Sequence, residues 1–206
     1  MRRFALAATV VGLLGVAQAR ADLLVNGDFE TGSLLGWSWS PGLSDTTWET
    51  VSFDVYGGDG QSLALQVPSD PTTSGCSGVL GQSVTLTAGV PYTVSWEQGI
   101  ENTGPSAILT SGEIEVRLGS QLLHRWSQGT LPGGGYTGLL ESKVYVPTVS
   151  GPHELQFRFY RAEDFSGSSV SMYVDNVSVV PEPATLLMLL GAGLLWLVVW
   201  ARRNRR

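Results

Sequence analysis

Short stretches in which apolar and polar residues alternate recur along most of the sequence, and a period of two is typical of half-buried β-strands. In Ser62–Val67, for example, every second residue is leucine or valine. Clusters rich in glycine and proline, such as residues 57–60 and 131–135, separate these stretches and favour turns. The predicted strands are 51–55, 62–67, 83–87, 92–96, 113–118, 122–126, 142–146, 154–160 and 170–180.

This density of short strands predicts an all-β fold, an antiparallel β-sandwich of the jelly-roll type. Residues 22–180 amount to 159 residues, which is enough for one domain with a sizeable core and too few for two comfortable ones. We therefore expect a single β-sandwich domain at 22–180.

The first 21 residues have the parts of a secretory signal peptide. Arg2 and Arg3 precede an apolar run at residues 4–16, and alanines at positions 17, 19 and 21 fit a small-x-small cleavage site. We expect a signal peptide at 1–21 that is cleaved after Ala21. An uncleaved N-terminal anchor is the alternative, but about thirteen apolar residues are few for a membrane span.

The last 26 residues, 181–206, predict a second targeting segment. Pro181, Glu182 and Pro183 precede an uncharged run at residues 184–201. Eighteen residues rise about 27 Å as an α-helix, close to the thickness of a bilayer's hydrocarbon core, so the run predicts a transmembrane helix. Arginines follow directly, and the positive-inside rule keeps them in the cytoplasm and places everything before Pro181 across the membrane. They are Arg202, Arg203, Arg205 and Arg206.

This order of parts resembles the PEP-CTERM sorting signal of Gram-negative bacteria. The resemblance implies an exosortase as partner, a cut near the Pro-Glu-Pro, and transient membrane anchoring through the C-terminal helix before that cut. The processed protein would then reach the cell surface or the extracellular matrix. An ordinary tail anchor that follows a chance Pro-Glu-Pro is the alternative.

The predicted exported domain is strongly acidic. Residues 22–180 contain five Lys and Arg against seventeen Asp and Glu, a net charge of 5 − 17 = −12. Such a surface repels phosphate backbones and anionic headgroups, which argues against nucleic acid as a partner. Neutral glycans, divalent cations and basic surfaces remain possible partners. Cys76 is the only cysteine, so no intramolecular disulfide can form. We interpret it as a small buried or incidental cysteine, because a catalytic thiol would need a base and the chain has only two histidines.

Three segments give a second resemblance. Residues 24–30, followed by Gly36 and Trp37, look like the opening of the galactose-binding-like jelly rolls, which include several carbohydrate-binding modules. Residues 173–179 resemble the final strand of that family, and residues 86–95 resemble its middle hairpin. The resemblance implies the fold and leaves the ligand open, because one fold carries many functions.

Three carboxylates form a candidate metal site. Asp28 and Glu30 would share one face of an extended chain, with Phe29 facing the core, and Asp175 could approach Glu30 if the first and last strands meet. Carboxylate oxygens suit calcium, with backbone carbonyls completing the shell. By resemblance to sugar-binding jelly rolls we assign one structural calcium to Glu30 and Asp175, with Asp28 as a further candidate. The alternative is that these carboxylates cap turns or accept hydrogen bonds from backbone amides.

Aromatic residues are candidates for glycan contact, because a flat ring can stack on the apolar face of a sugar. Trp37, Tyr92 and Trp96 fit the core pattern. The better candidates for exposure, and so for ligand binding, are Trp39, Trp48, Trp126 and Tyr136, with core packing as the alternative for each.

Common catalytic motifs are absent from the sequence, and His124 and His153 are its only histidines. We therefore predict a non-catalytic exported protein of the cell surface or extracellular matrix that associates with polysaccharide. One alternative is a carboxylate-based polysaccharide-modifying enzyme, for which Glu113 and Glu115 share a strand face. The other is a structural adhesin with no small ligand.

Overall fold

The computed structural model describes residues 22–42, 47–52, 55, 60–67, 75–105, 107, 112–161 and 170–182. The predicted signal peptide, the apolar run at 184–201 and the arginine tail lie outside these residues. Within the described ranges no helix is long and apolar enough to cross a membrane. One compact unit runs from Asp22 to Pro181.

The described chain is a sandwich of two five-stranded sheets in which every pair of neighbouring strands is antiparallel. The strands are β1 (Ser38–Pro41), β2 (Thr47–Val51), β3 (Ser62–Val67), β4 (Gly75–Leu86), β5 (Tyr92–Asn102), β6 (Gly112–Leu118), β7 (Gln121–Gln128), β8 (Tyr136–Tyr145), β9 (Gly151–Arg161) and β10 (Val170–Pro181). Sheet A has the order β1-β4-β9-β6-β7, and sheet B has the order β2-β3-β10-β5-β8. The predicted all-β antiparallel sandwich is confirmed.

The core lies between the sheets and follows from the period-two pattern. On β9, Leu155, Phe157 and Phe159 point inward and are fully buried, while the intervening residues face outward. Trp96 of β5 meets Phe157 edge to face at a ring-centroid distance of 6.2 Å, so a ring from each sheet helps to join the two layers.

The strand predictions differ in how well they match. The prediction at 62–67 matches β3 residue for residue. Of the predicted strand at 51–55, Val51 ends β2, Ser52 and Val55 lie outside any strand, and residues 53–54 are outside the described residues. Strand β1 was not predicted from the sequence. Both β1 and β2 are edge strands with mostly exposed residues, so they lack the apolar alternation that marks a half-buried strand.

The N-terminal arm, residues 22–30, runs beside β10 without forming a strand. The backbone N–H of Leu23 donates to the carbonyl of Val179 at 3.0 Å, and that of Val177 donates to the carbonyl of Gly27 at 2.8 Å. A Cβ at Gly27 would lie 2.0 Å from the Val177 oxygen, so only glycine allows this approach.

The arm corrects one expectation. Phe29 is fully buried as predicted, but its φ is 51° and that of Asn26 is 54°, which places both in the left-handed region. Asp28 and Glu30 therefore stand in a turn, and the predicted extended segment with both carboxylates on one face is wrong.

Candidate functional site

Polar and charged side chains cover the outer surface of sheet A. On β6 and β9 they alternate with buried residues such as Val116 and Phe157, and the strand register places Glu115 opposite Arg158 on one side and Arg125 on the other. We call this surface the sheet A face. It comprises Glu113, Glu115, Arg117, Arg125, Glu154, Gln156, Arg158 and Tyr160.

Glu115 is a buried carboxylate at the centre of the ion pairs on the sheet A face. Its side chain is 1% exposed, and it accepts hydrogen bonds from Arg117 Nε and, at 2.5 Å, from Arg125 Nη2. Arg125 Nε also lies 3.2 Å from Glu113 Oε1. Burial raises the pKa of Glu115, but the bonds from the two guanidinium groups outweigh it, so the pKa lies below its ordinary value. The carboxylate stays ionised and holds both arginines in place.

The charge of the sheet A face differs from that of the whole domain. Of the five basic residues between positions 22 and 180, three stand on this face: Arg117, Arg125 and Arg158. Three glutamates accompany them, so the face is locally neutral within a domain of net charge −12. A locally neutral face does not require a charged ligand, and its side chains offer hydrogen bonds to a neutral, hydroxyl-rich one.

A cavity of about 500 Å³ borders the sheet A face and shares Glu154 with it. Ser38 Oγ, beside the cavity, donates to the carbonyl of Gly81 at 3.0 Å. A Cβ at Gly81 would lie 2.8 Å from Glu154 Oε1, so the glycine leaves room for that carboxylate. The lining residues are Gly36, Trp37, Ser38, Gly81, Gln82, Ser83, Pro152 and Glu154.

Cys76 and the two histidines do not form a nucleophile–base pair. Cys76 Sγ donates to the carbonyl of Gly78 at 3.5 Å, and burial raises the pKa of the thiol. The ring nitrogens of His153 are hydrogen-bonded to the Tyr145 hydroxyl and to the carbonyl of Val149, and not to Cys76. His124 lies against Trp96 with a ring-centroid distance of 5.9 Å.

Two of the predicted ligand-binding aromatic residues pack against the core. Trp39 stacks at a tilt on Phe159 with a ring-centroid distance of 6.4 Å, and its indole covers Gly78, where a Cβ would lie 1.9 Å from the ring. Trp126 of β7 pairs with the buried Ile114 and also packs against the core. For both residues, core packing is what the structure shows, and a ligand role stays a prediction.

The other two predicted aromatic residues are exposed and belong to sheet B. Trp48 is 38% exposed on edge strand β2, and Tyr136 is 37% exposed on β8. A Cβ at Gly99 would lie 2.5 Å from Tyr136 Oη and 2.9 Å from its Cε2, and one at Gly138 would lie 2.7 Å from that Oη. The Tyr136 ring thus rests on glycine backbone, with its hydroxyl donating to the carbonyl of Val55 at 2.5 Å.

The predicted metal ligands Glu30 and Asp175 reach neighbouring residues at the start of β3. Glu30 Oε1 accepts from the backbone N–H of Gln61 at 2.7 Å. Asp175 is 2% exposed, and its Oδ2 accepts from Ser62 Oγ at 2.9 Å while its Oδ1 accepts from the backbone N–H of Asn176 at 2.7 Å. The structure thus brings both carboxylates to residues 61–62.

Asp28 is placed differently. It is exposed, and its Oδ1 accepts from the backbone N–H of Glu30 at 3.4 Å within the turn of the N-terminal arm. Among the residues that the structure describes, no group of three or more His, Cys, Asp or Glu side chains is placed to hold a metal ion. The observed contacts are those of the alternative interpretation, hydrogen bonding to amides and a hydroxyl, and the calcium site stays a prediction.

The sheet A face was not assembled from the sequence. Glu113 and Glu115 were placed on one strand face, but only as carboxylates of the alternative enzyme. A usable signal was present: Glu154, Gln156, Arg158 and Tyr160 alternate with apolar residues on one strand, as Glu113, Glu115 and Arg117 do on another.

The C-terminal segment matches a known family model. Residues 179–206 match the PEP-CTERM protein-sorting motif. The chain carries a PEP-CTERM sorting signal. This confirms the predicted signal, which begins at Pro181, Glu182 and Pro183. The signal indicates a secreted, exosortase-processed protein that is associated with the cell surface.

Solved structures similar to this chain include carbohydrate-binding modules. A family 61 module solved with β-1,4-galactotriose is 17% identical, with a TM-score of 0.50 over 79% of this chain and 99% of the module. A family 27 module of Caldicellulosiruptor saccharolyticus, solved with mannohexaose, is 19% identical, with a TM-score of 0.51 over 77% of this chain and 97% of the module. These similarities show the fold, a jelly roll like that of carbohydrate-binding modules. A comparison with curated proteins found no match.

Proposed function

We propose that this is a non-catalytic protein which an exosortase sorts to the cell surface or extracellular matrix, where its sheet A face binds neutral polysaccharide. The observation that carries the proposal is that Glu115 holds the guanidinium groups of Arg117 and Arg125 in place. The neighbouring strand β9 adds Gln156, Arg158 and Tyr160 to the same face. Guanidinium and amide groups held in place donate to sugar hydroxyls at low entropic cost, and the tyrosine ring offers a surface for stacking.

The carboxylate-based enzyme is the less favoured alternative. Glycoside hydrolysis of this kind needs a carboxylic acid that is still protonated near neutral pH, which a raised pKa provides. The pKa of Glu115 is lowered, and Glu113 faces Arg125. This pair of carboxylates therefore suits binding better than proton donation.

Retention on immobilised neutral polysaccharides tests the proposal. Tyr160→Ala and Gln156→Ala should each weaken retention several-fold, because truncating a residue that anchors a ligand costs more than about 1 kcal/mol. Retention should survive added salt, since stacking and neutral hydrogen bonds are screened less than charge pairing. Trp48→Ala and Tyr136→Ala, on sheet B, are the matched controls and also test the predicted role of those rings.

The possible results separate the alternatives. Loss of retention only in the sheet B variants would move the site to Tyr136 or Trp48. Breakdown of a polysaccharide during incubation would favour the enzyme. No retention on any neutral or acidic glycan would favour the structural adhesin.

Processing by exosortase is tested by mass spectrometry of the protein isolated from its producing cells. The C-terminus should lie near Pro183, with the transmembrane segment and the arginines removed. Recovery of full-length chain alone, ending at Arg206, in a host that carries an exosortase would reject processing and leave a permanent membrane anchor.

A structural calcium held by Glu30 and Asp175 is the second part of the proposal. Its support is that both carboxylates reach residues 61–62, so one cation there would tie the N-terminal arm, β3 and β10 together. Carboxylate and backbone carbonyl oxygens would hold the ion, and its contribution would be structural. Asp28 stays a prediction as a further ligand.

Calorimetry with calcium and with chelator tests this site. An ion bound only by the folded state adds about 2.7 kcal/mol at a hundred times its dissociation constant. Calcium should therefore raise the melting temperature of the parent and leave the melting temperature of Glu30→Gln unchanged. Asp28→Asn tests separately whether Asp28, in the turn of the N-terminal arm, is a further ligand. Equal melting of the parent in calcium and in chelator would reject the site.

A further inference from the structure

Strand β8 forms an edge of sheet B. It is ten residues long and, within the described part of the chain, its strand partner is β5. A long unpaired edge presents backbone N–H and C=O groups to any strand that can lie beside it.

The outer side of this edge is apolar. Leu140 is 54% exposed and Val144 is 60% exposed, with the exposed Ser142 between them. These three residues alternate with partly buried ones, so their side chains stand in one row on the outer surface of sheet B.

The opposite side of the same edge carries one charge of each sign. Glu141 Oε2 and Lys143 Nζ lie 2.8 Å apart, and their side chains are 19% and 39% exposed. A single charge on the inner side of an edge strand discourages pairing with another strand. Two opposite charges two residues apart can instead meet their opposites on an antiparallel strand.

We propose that β8 pairs with β8 of a second copy of this chain, antiparallel about a two-fold axis at Ser142, to form a closed dimer. In this register Leu140 lies opposite the partner's Val144, and Glu141 lies opposite the partner's Lys143. Because the interface is self-complementary, each contact occurs twice. Apolar and opposite-charge pairs directly across an antiparallel ladder both stabilise it.

The charges select this register. With the two-fold axis at Glu141, the two Glu141 carboxylates of the dimer lie opposite each other. With the axis at Lys143, the two Lys143 ammonium groups lie opposite each other. Like charges directly opposite destabilise a sheet. Only the axis at Ser142 satisfies the charges and the apolar row together among these three registers. The dimer goes beyond glycan binding and would present two sheet A faces at once.

Disulfide cross-linking of the exported protein tests the dimer. In a Cys76→Ser background, Ser142→Cys places a thiol on the axis opposite its own copy, within the Cα separation of about 4.4–6.8 Å that a disulfide needs. We expect a covalent dimer on non-reducing gels. Ser83→Cys, exposed on sheet A, is the matched control and should stay monomeric.

Charge variants of the Ser142→Cys protein decide whether the register is right. Glu141→Lys should reduce the cross-linked fraction at least about fivefold, because lysines then face each other. Adding Lys143→Glu restores opposite charges and should restore the cross-link, and an unchanged melting temperature of Glu141→Lys separates a pairing defect from a folding defect. Equal cross-linking at Ser142→Cys and Ser83→Cys, no cross-linking at all, or no effect of Glu141→Lys would overturn the proposal.

Discussion

Replacing Gly27 by alanine should detach the N-terminal arm from β10. The new Cβ would stand 2.0 Å from the carbonyl oxygen of Val177, and that atom is backbone in a central strand, so the arm must move instead. Detaching the arm breaks three hydrogen bonds, from the backbone N–H of Val177 to Gly27, from that of Leu23 to Val179 and from that of Val179 to the Asp22 carboxylate.

The cost follows from these contacts. Three hydrogen bonds at about 1 kcal/mol each give about 3 kcal/mol, before any loss of packing around the buried Phe29. For a domain of this size, each kcal/mol lowers the melting temperature by about 2–4 °C, so we expect a fall of about 6–12 °C. Calorimetry of Gly27→Ala, with Gly129→Ala as control, measures this fall in the melting temperature.

Gly129 is a suitable control because a Cβ there would meet nothing within 4 Å. Its substitution should leave the melting temperature almost unchanged. If Gly27→Ala melts within about 1 °C of the parent, or if Gly129→Ala falls as far, the reasoning from close backbone approach is refuted.

Three further predictions concern single side chains. Burial lowers the pKa of His124, so the unfolded state takes up a proton first as the pH falls through about 6.5, and the free energy of unfolding should drop between about pH 7.5 and 5.5. Denaturant unfolding should show a smaller drop in His124→Leu, and an equal drop would contradict this origin. Trp39→Ala should cost about 2 kcal/mol or more because the indole packs on Phe159, whereas the exposed Trp48→Ala should cost under about 1 kcal/mol; equal losses would be inconsistent with the packing. Alkylation of Cys76 by iodoacetamide should be slow in the folded protein and fast in denaturant, because burial raises the pKa of the thiol, and equal rates in both would show that it is freely accessible.

The sequence predicted the central strands because their apolar residues alternate in the chain itself. Leu63 and Leu65 of β3, like Phe157 and Phe159 of β9, mark an inward row without any knowledge of the neighbouring strand. Edge strands such as β1 carry no such row. The turn at Phe29 could not be predicted either, because a buried aromatic residue fits both a turn and a strand, and the sequence does not give the sign of its φ.

The contacts within the sheet A face could not be predicted for a different reason. Glu115, Arg125 and Arg158 occupy neighbouring positions only because β7, β6 and β9 lie side by side, and that order joins segments far apart in the sequence. Residue types on each strand were readable, but the contacts between strands depend on the register. The Glu141–Lys143 pair is the opposite case, because both charges lie on one strand and their spacing is visible in the sequence.

The position of β10 constrains the order in which the domain can fold. This last strand lies between β3 and β5, so the two halves of sheet B cannot join before residues 170–181 are present. Contacts between such distant segments slow folding, and until they form, β3 and β5 each keep an open edge. Sheet B is therefore completed only by the strand whose end leads directly into the sorting signal.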